Sequence, residues 1–185
     1  MTVFDKDNKK EVFLHIPKTG GSSITKLFEE NGWSQQCIEG GHQHKILDQI
    51  SVDWSCVETI FTVIRNPIDR VLSEIRGNEN LWHDSWHDRC DEAMDRFFRL
   101  ICPLHARRMS DFWDVSEQKD VKVFRFEDTE HRQKIKDMFD LKGAFPHEVG
   151  ATYKSELNFT LTKSSEKMIK DKYREDFERF YPELL

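Results

Sequence analysis

The sequence predicts an α/β fold: three layers around a central parallel sheet, in one domain spanning residues 1–185. Three observations carry that expectation. Short apolar, β-branched runs recur at Val12 to Ile16, Val57 to Ile64 and Val121 to Phe126, as interior strands require. Each ends in turn chemistry, and a helix-period pattern follows each, which favours parallel strands joined by crossovers.

The first strand stops at Pro17, and Gly20-Gly21 turns the chain into a helix over Ser23 to Glu30, where Ile24, Leu27 and Phe28 share a face and Asn31-Gly32 is the stop. Ser22 or Ser23 is placed to cap this helix. Trp33 to Gly41 reads as a loop. After the second strand, Asn66-Pro67 opens a helix that runs to about Arg76. The stretch from Asn78 to Met109 mixes Trp, His, Asp and Arg, with a helix expected over Asp91 to Leu100. Glu127-Asp128-Thr129 caps a helix that reaches about Phe139. Gly143 to Phe159 is loop-like, and a charged helix from Ser164 to Tyr181 carries Met168, Ile169, Tyr173, Phe177 and Phe180 at helical spacing.

Charge narrows the partners. Lys plus Arg number 28 against 34 Asp plus Glu, so the chain has no global positive field, which excludes a nucleic-acid polymer and favours a small anionic ligand held by local basic groups. The four cysteines lie far apart without a paired CxxC spacing, which argues against a zinc ribbon or a disulfide framework and for a reducing compartment. With no leader pattern and no apolar run of about 18 residues, the expectation is a soluble, cytoplasmic protein without a membrane span. Oligomeric state is not legible.

The chemistry-bearing residues gather at two strand-to-helix junctions. At the first, Lys18-Thr-Gly-Gly-Ser-Ser23 joins two glycines, a lysine and two hydroxyls to the free amides of a helix start, an arrangement suited to a phosphate-like group. The lysine precedes the glycines, so this is not the Gly-Lys-Ser/Thr loop of nucleotidases. At the second, Arg65 emerges from an apolar strand and Ser73 follows two helical turns later, so both can reach one anion. Arg70, between them, fits a helix salt bridge or packing role better. Two anion sites at neighbouring strand ends suggest a doubly phosphorylated ligand.

These two motifs carry a resemblance. His15-Ile-Pro-Lys-Thr-Gly-Gly-Ser-Ser-Ile24 resembles the 5′-phosphosulfate loop, and Arg65-Asn-Pro-Ile-Asp-Arg-Val-Leu-Ser73 the 3′-phosphate motif, of sulfotransferases that use 3′-phosphoadenosine 5′-phosphosulfate (PAPS), of the carbohydrate and heparan-sulfate O-sulfotransferase kind. The similarity extends loosely to Phe124-Arg-Phe-Glu-Asp128 and the C-terminal helix. It implies a P-loop-like fold, with Lys18, Thr19, Gly20, Gly21, Ser22 and Ser23 on the 5′-phosphosulfate, Arg65 and Ser73 on the 3′-phosphate, and no metal. Lys18 would stabilise the charge left on the oxygen between sulfur and phosphorus. Uronosyl 2-O-sulfotransferases look similar at Gly41-His-Gln-His-Lys-Ile-Leu-Asp48, which makes His44 the catalytic base and His42 a residue that contacts the acceptor or orients the base. Read without the resemblance, a His-x-His in a polar loop is more often a solvated surface feature.

Other constellations read as background. His83, His87 and Cys90 have the spacing of one helix face but no second cluster to complete a metal site. Trp82 and Trp86 fit a core, and Asp84 with Asp88 a solvated face. Phe145 to Val149, followed by Lys154 and Ser155, lies where related enzymes close a loop over the nucleotide, but the expected Asn after Pro146 is missing. The implied activity is in-line sulfuryl transfer from PAPS to an acceptor hydroxyl, a sugar by resemblance. The alternatives are a P-loop-type nucleotide kinase, for which no Mg²⁺-binding carboxylate stands out, and a non-catalytic nucleotide-binding protein.

Overall fold

The N-terminal end of the chain folds back on itself at Asp7-Asn8, both with positive φ (52° and 67°), the left-handed pair that a two-residue hairpin turn demands and that Asp and Asn tolerate. The turn joins β1 (Thr2–Lys6) to β2 (Lys9–Leu14) in antiparallel register, with Lys6 opposite Lys9. Further along are β3 (Ser34–Cys37), β4 (Val57–Ile64) and β5 (Val121–Arg125), giving one sheet of order β3-β1-β2-β4-β5. A computed structural model describes residues 1–37, 46–47, 52–77, 90–101, 103–113, 120–146 and 161–185, with 90–93 as backbone only.

The expected parallel sheet is therefore correct for its core and wrong at its edge. β2-β4-β5 is parallel throughout, whereas β1 pairs antiparallel with both β2 and β3. The physical reasons differ. The hairpin is signalled by Asp-Asn between two apolar-containing runs, which the assignment of a strand starting at Val12 passes over. β3, the sequence Ser-Gln-Gln-Cys inside the expected Trp33 to Gly41 loop, has no apolar alternation and becomes a strand only because β1 offers it an edge.

Chain contacts divide the protein into two compact units: Met1–Arg65 with Met109–Val149, and Asn66–Arg108 with Gly150–Leu185. The first unit holds the sheet. Helices α1 (Gly21–Glu30) and α4 (Thr129–Met138) cover one sheet face through a buried aromatic cluster in which Phe4 stacks on Phe28 at 4.0 Å, Phe13 on Phe61 at 5.0 Å, and Phe139 meets Phe61 at 4.8 Å. Such ring pairs contribute about 0.5–1.5 kcal/mol each beyond their burial. α1 ends as expected, with Asn31 as C-cap and Gly32 at φ 80°. α4 also begins as expected: the Asp128 carboxylate accepts from the amides of Glu130 and His131, and the His131 amide above all holds its pKa below the usual range.

The second unit is helical: α2 (Pro67–Gly77), α3 (Cys90–Leu100), α5 (Lys163–Lys172) and α6 (Arg174–Phe180), with α5 packed on α2 and α3. Pro67 opens α2 as the sequence predicts, with the Asn66 side chain accepting from the Ile68 amide at 2.9 Å. Arg70 is fully buried. It donates to the carbonyls of Arg107 (2.7 Å) and His105 (2.9 Å), lies 5.8 Å from the Tyr173 ring centroid, and faces Asp176 and Glu74, so the packing reading of Arg70 is the correct one. Tyr173 also corrects the single C-terminal helix. Its hydroxyl donates to the Ala106 carbonyl (3.1 Å), its backbone leaves helical geometry, and the expected helix becomes α5 and α6.

One buried acid in the sheet titrates near neutrality. Burial pushes the Glu11 carboxyl up to about 7; a hydrogen bond with Thr59, its register neighbour on β4, opposes the shift and Glu58 adds to it. In the unfolded chain the group ionises near 4.5, so the unfolded state loses its proton first and the fold loses stability as pH rises from about 4.5 to about 7. Glu11→Gln, which cannot ionise, is expected to melt progressively higher than the parent as pH is raised through that window, with the gap levelling above pH 7. A melting-temperature difference that is flat from pH 5 to pH 8 excludes this titration.

Candidate functional site

Parallel register fixes where the site can be. Leu14 stands opposite Thr62, and Ile64 opposite Arg125, so β2, β4 and β5 deliver their carboxyl ends to one edge of the sheet, the usual location of ligands in open α/β folds. Two bonds tie these ends together: the buried Thr62 hydroxyl donates to the Leu14 carbonyl (2.8 Å) and the Phe126 amide to the Ile64 carbonyl (2.8 Å). A groove of about 330 Å³ lined by Trp54, Glu58, Thr59, Asp120 and Lys122 lies at the opposite, amino ends of β4 and β5. It contains none of the sequence-predicted site residues.

The loop leaving β2 is built from unusual backbone. Lys18 sits at φ 64° and Gly20 at φ 94°, so a lysine occupies left-handed space that costs of order 1 kcal/mol and is held there by its surroundings. One restraint is Thr19, fully buried, whose hydroxyl donates to the Ile16 carbonyl at 3.0 Å. That proton is thus spent on shaping the loop. Lys18 itself is half-exposed.

Neither Ser22 nor Ser23 caps α1, contrary to the expectation. Gly20 is the N-cap, with no side-chain cap bond, and its carbonyl accepts from the Ser23 (3.0 Å) and Ile24 (3.2 Å) amides. A left-handed N-cap shifts the helix start two residues upstream, which leaves Ser22 exposed and buries Ser23. The amides of Gly21 and Ser22 precede the first intrahelical bond, as first-turn amides do in any helix, and without a capping side chain they are fit to receive an anion.

The two glycines have a steric cause that the sequence does not reveal. A methyl group at Gly20 would stand 2.3 Å from the Phe126 ring, and one at Gly21 would stand 1.9 Å from the His15 ring. His15 is buried and stacks on Phe13 at 5.5 Å. Phe126, at the carboxyl end of β5, lies against the candidate site and is missed by sequence reasoning; its signal in the sequence is its place in Phe124-Arg-Phe-Glu-Asp128. Its ring lies 5.6 Å from the Arg65 guanidinium and meets Phe145 edge-on at 6.4 Å.

Arg65 ends β4 half-buried, and its Nε is buried with no hydrogen-bond partner among the described residues, so the guanidinium retains donor capacity for a ligand. Ser73 lies within α2, half-buried, in the helical unit. His42 and His44, expected on the acceptor side, lie outside the described residues, as do His83, His87, Trp82, Trp86, Asp84, Asp88, Lys154 and Ser155. Among the described residues no cluster of three His, Cys, Asp or Glu suited to a metal occurs, and no helix is long and apolar enough to cross a membrane.

Comparison with curated proteins and with solved structures returned no match. A protein-family model described as the sulfotransferase family matches residues 1–182, which takes in both units and both anion motifs. The chain therefore belongs to the sulfotransferase family, enzymes that transfer sulfuryl groups.

Proposed function

We propose that the chain transfers the sulfuryl group of PAPS to an acceptor hydroxyl, a sugar hydroxyl by the resemblance of the His42-Gln-His44 segment, with His44 as base. The family match runs through both units, which supports their acting as one sulfotransferase domain over residues 1–185. The observation that carries the donor assignment is the uncapped, left-handed start of α1 beside Lys18, on the same sheet edge as an arginine whose Nε lacks a partner among the described residues. A nucleotide with anions at both its 5′ and 3′ positions has a use for both.

In this reading Lys18 and the Gly20 to Ser23 backbone receive the 5′-phosphosulfate. Thr19 contributes its amide and the shape of the loop, its hydroxyl being engaged with Ile16. Lys18 stabilises the negative charge that develops on the oxygen bridging sulfur and phosphorus as the acceptor oxygen attacks in line. Arg65, with Ser73 from α2, holds the 3′-phosphate, and His44 takes the proton of the acceptor hydroxyl while His42 contacts the acceptor or orients that base. No step calls for a metal.

Calorimetry is expected to show adenosine 3′,5′-bisphosphate binding well ahead of ATP; equal or tighter ATP binding sinks the donor assignment and favours the kinase reading. Arg65→Ala is expected to weaken the bisphosphate by about 10- to 100-fold, the scale of a lost charge-assisted bond, while leaving adenosine 5′-phosphate nearly unaffected. Equal losses for both nucleotides would remove Arg65 from the 3′-phosphate. His44→Ala should keep the bisphosphate affinity within about twofold and abolish sulfuryl transfer in an acceptor screen with radiolabelled PAPS; retained turnover places the base elsewhere, His42 first.

A further inference from the structure

Phe126 touches both anion loops. Its ring fills the space a Gly20 side chain would need, its π face lies 5.6 Å from the Arg65 guanidinium, and its amide is bonded to the carbonyl of Ile64, the residue immediately before Arg65. Phe145 packs edge-on against the ring and restricts it, and Arg132 lies 5.9 Å from the Phe145 ring centroid. With Arg65 Nε buried and lacking a protein partner among the described residues, the aromatic face is a contact that can orient this guanidinium before a ligand arrives.

We infer that Phe126 is a positioning residue: one ring holds the 5′ loop at Gly20 and the 3′-phosphate arginine at a fixed separation, so that selectivity for a 3′-phosphorylated nucleotide depends on an aromatic side chain that donates no hydrogen bond to it. The inference rests on the donor reading proposed above, because it assigns Phe126 a role through Arg65. An aliphatic side chain such as Leu or Met would fill much of the space beside Gly20 but offer Arg65 no π face, which separates positioning from packing.

The test is the ratio of affinities for adenosine 3′,5′-bisphosphate and adenosine 5′-phosphate, measured by calorimetry on the full chain. Phe126→Leu is expected to lower that ratio about fivefold, the scale of one cation–π contact, and Phe126→Tyr to keep it within about twofold. In an Arg65→Ala background, Phe126→Leu is expected to change the ratio no further. An unchanged ratio in folded Phe126→Leu, an equal loss in the Tyr variant, or a full further loss in the Arg65→Ala background overturns the inference. Phe126→Met serves the same comparison if the Leu variant does not fold. Should the parent protein itself show no preference between the two nucleotides, the donor reading has failed, and melting temperatures decide the role of Phe126. Losses from Arg65→Ala and Phe126→Leu that fall short of additive in the double variant uphold the contact, and additive losses overturn it.

Discussion

Parallel pairing of β2, β4 and β5 is the constraint on which the rest of the first unit depends. Because Leu14 aligns with Thr62 and Ile64 with Arg125, three loops far apart in sequence leave the sheet at the same edge, and register brings the chain segments that carry Lys18, Arg65 and Phe126 to that edge. The buried Thr62 hydroxyl on the Leu14 carbonyl secures the register where it matters most. Below this edge the aromatic stack of Phe4, Phe13, Phe28, Phe61 and Phe139 makes the platform stiff, since each ring packs on rings from other elements.

Much of this is legible in the sequence, and the reasons are local. The interior strands announce themselves by unbroken β-branched and apolar runs. Pro67 and Asp128 announce helix starts, because the chemistry of a helix start is set by one or two residues. The antiparallel edge is legible in principle from Asp7-Asn8, whereas β3 is not, since a polar four-residue strand owes its existence to its neighbour. The break at Tyr173 is hidden too: the spacing of Ile169, Tyr173 and Phe177 is helical, while the Tyr173 hydroxyl bonds to Ala106, which is distant in sequence.

For the candidate site the outcome divides along the same line. Lys18, Gly20, Gly21 and Arg65 stand out because turn chemistry and an arginine at the end of an apolar strand are visible one residue at a time. Phe126 does not, because a phenylalanine after a strand looks like core until its neighbours are known. The serines look like caps because nothing in the sequence signals that Gly20 takes a left-handed N-cap. Arg70, in contrast, reads correctly as a packing residue; its guanidinium satisfies two carbonyls of the segment it anchors and is not available to a nucleotide.

The contacts at Gly20 and Gly21 also bear on how such a loop can change over evolutionary time. Each glycine is matched to a specific ring, Gly20 to Phe126 and Gly21 to His15, so neither partner of a pair is independent of the other. A chain of this family with a larger residue at the second glycine needs a smaller one in place of His15. At the first glycine even that exchange is insufficient, because the left-handed backbone penalises any side chain there. Drift in this loop is therefore expected as paired substitutions at positions 15 and 21, with position 20 held fixed.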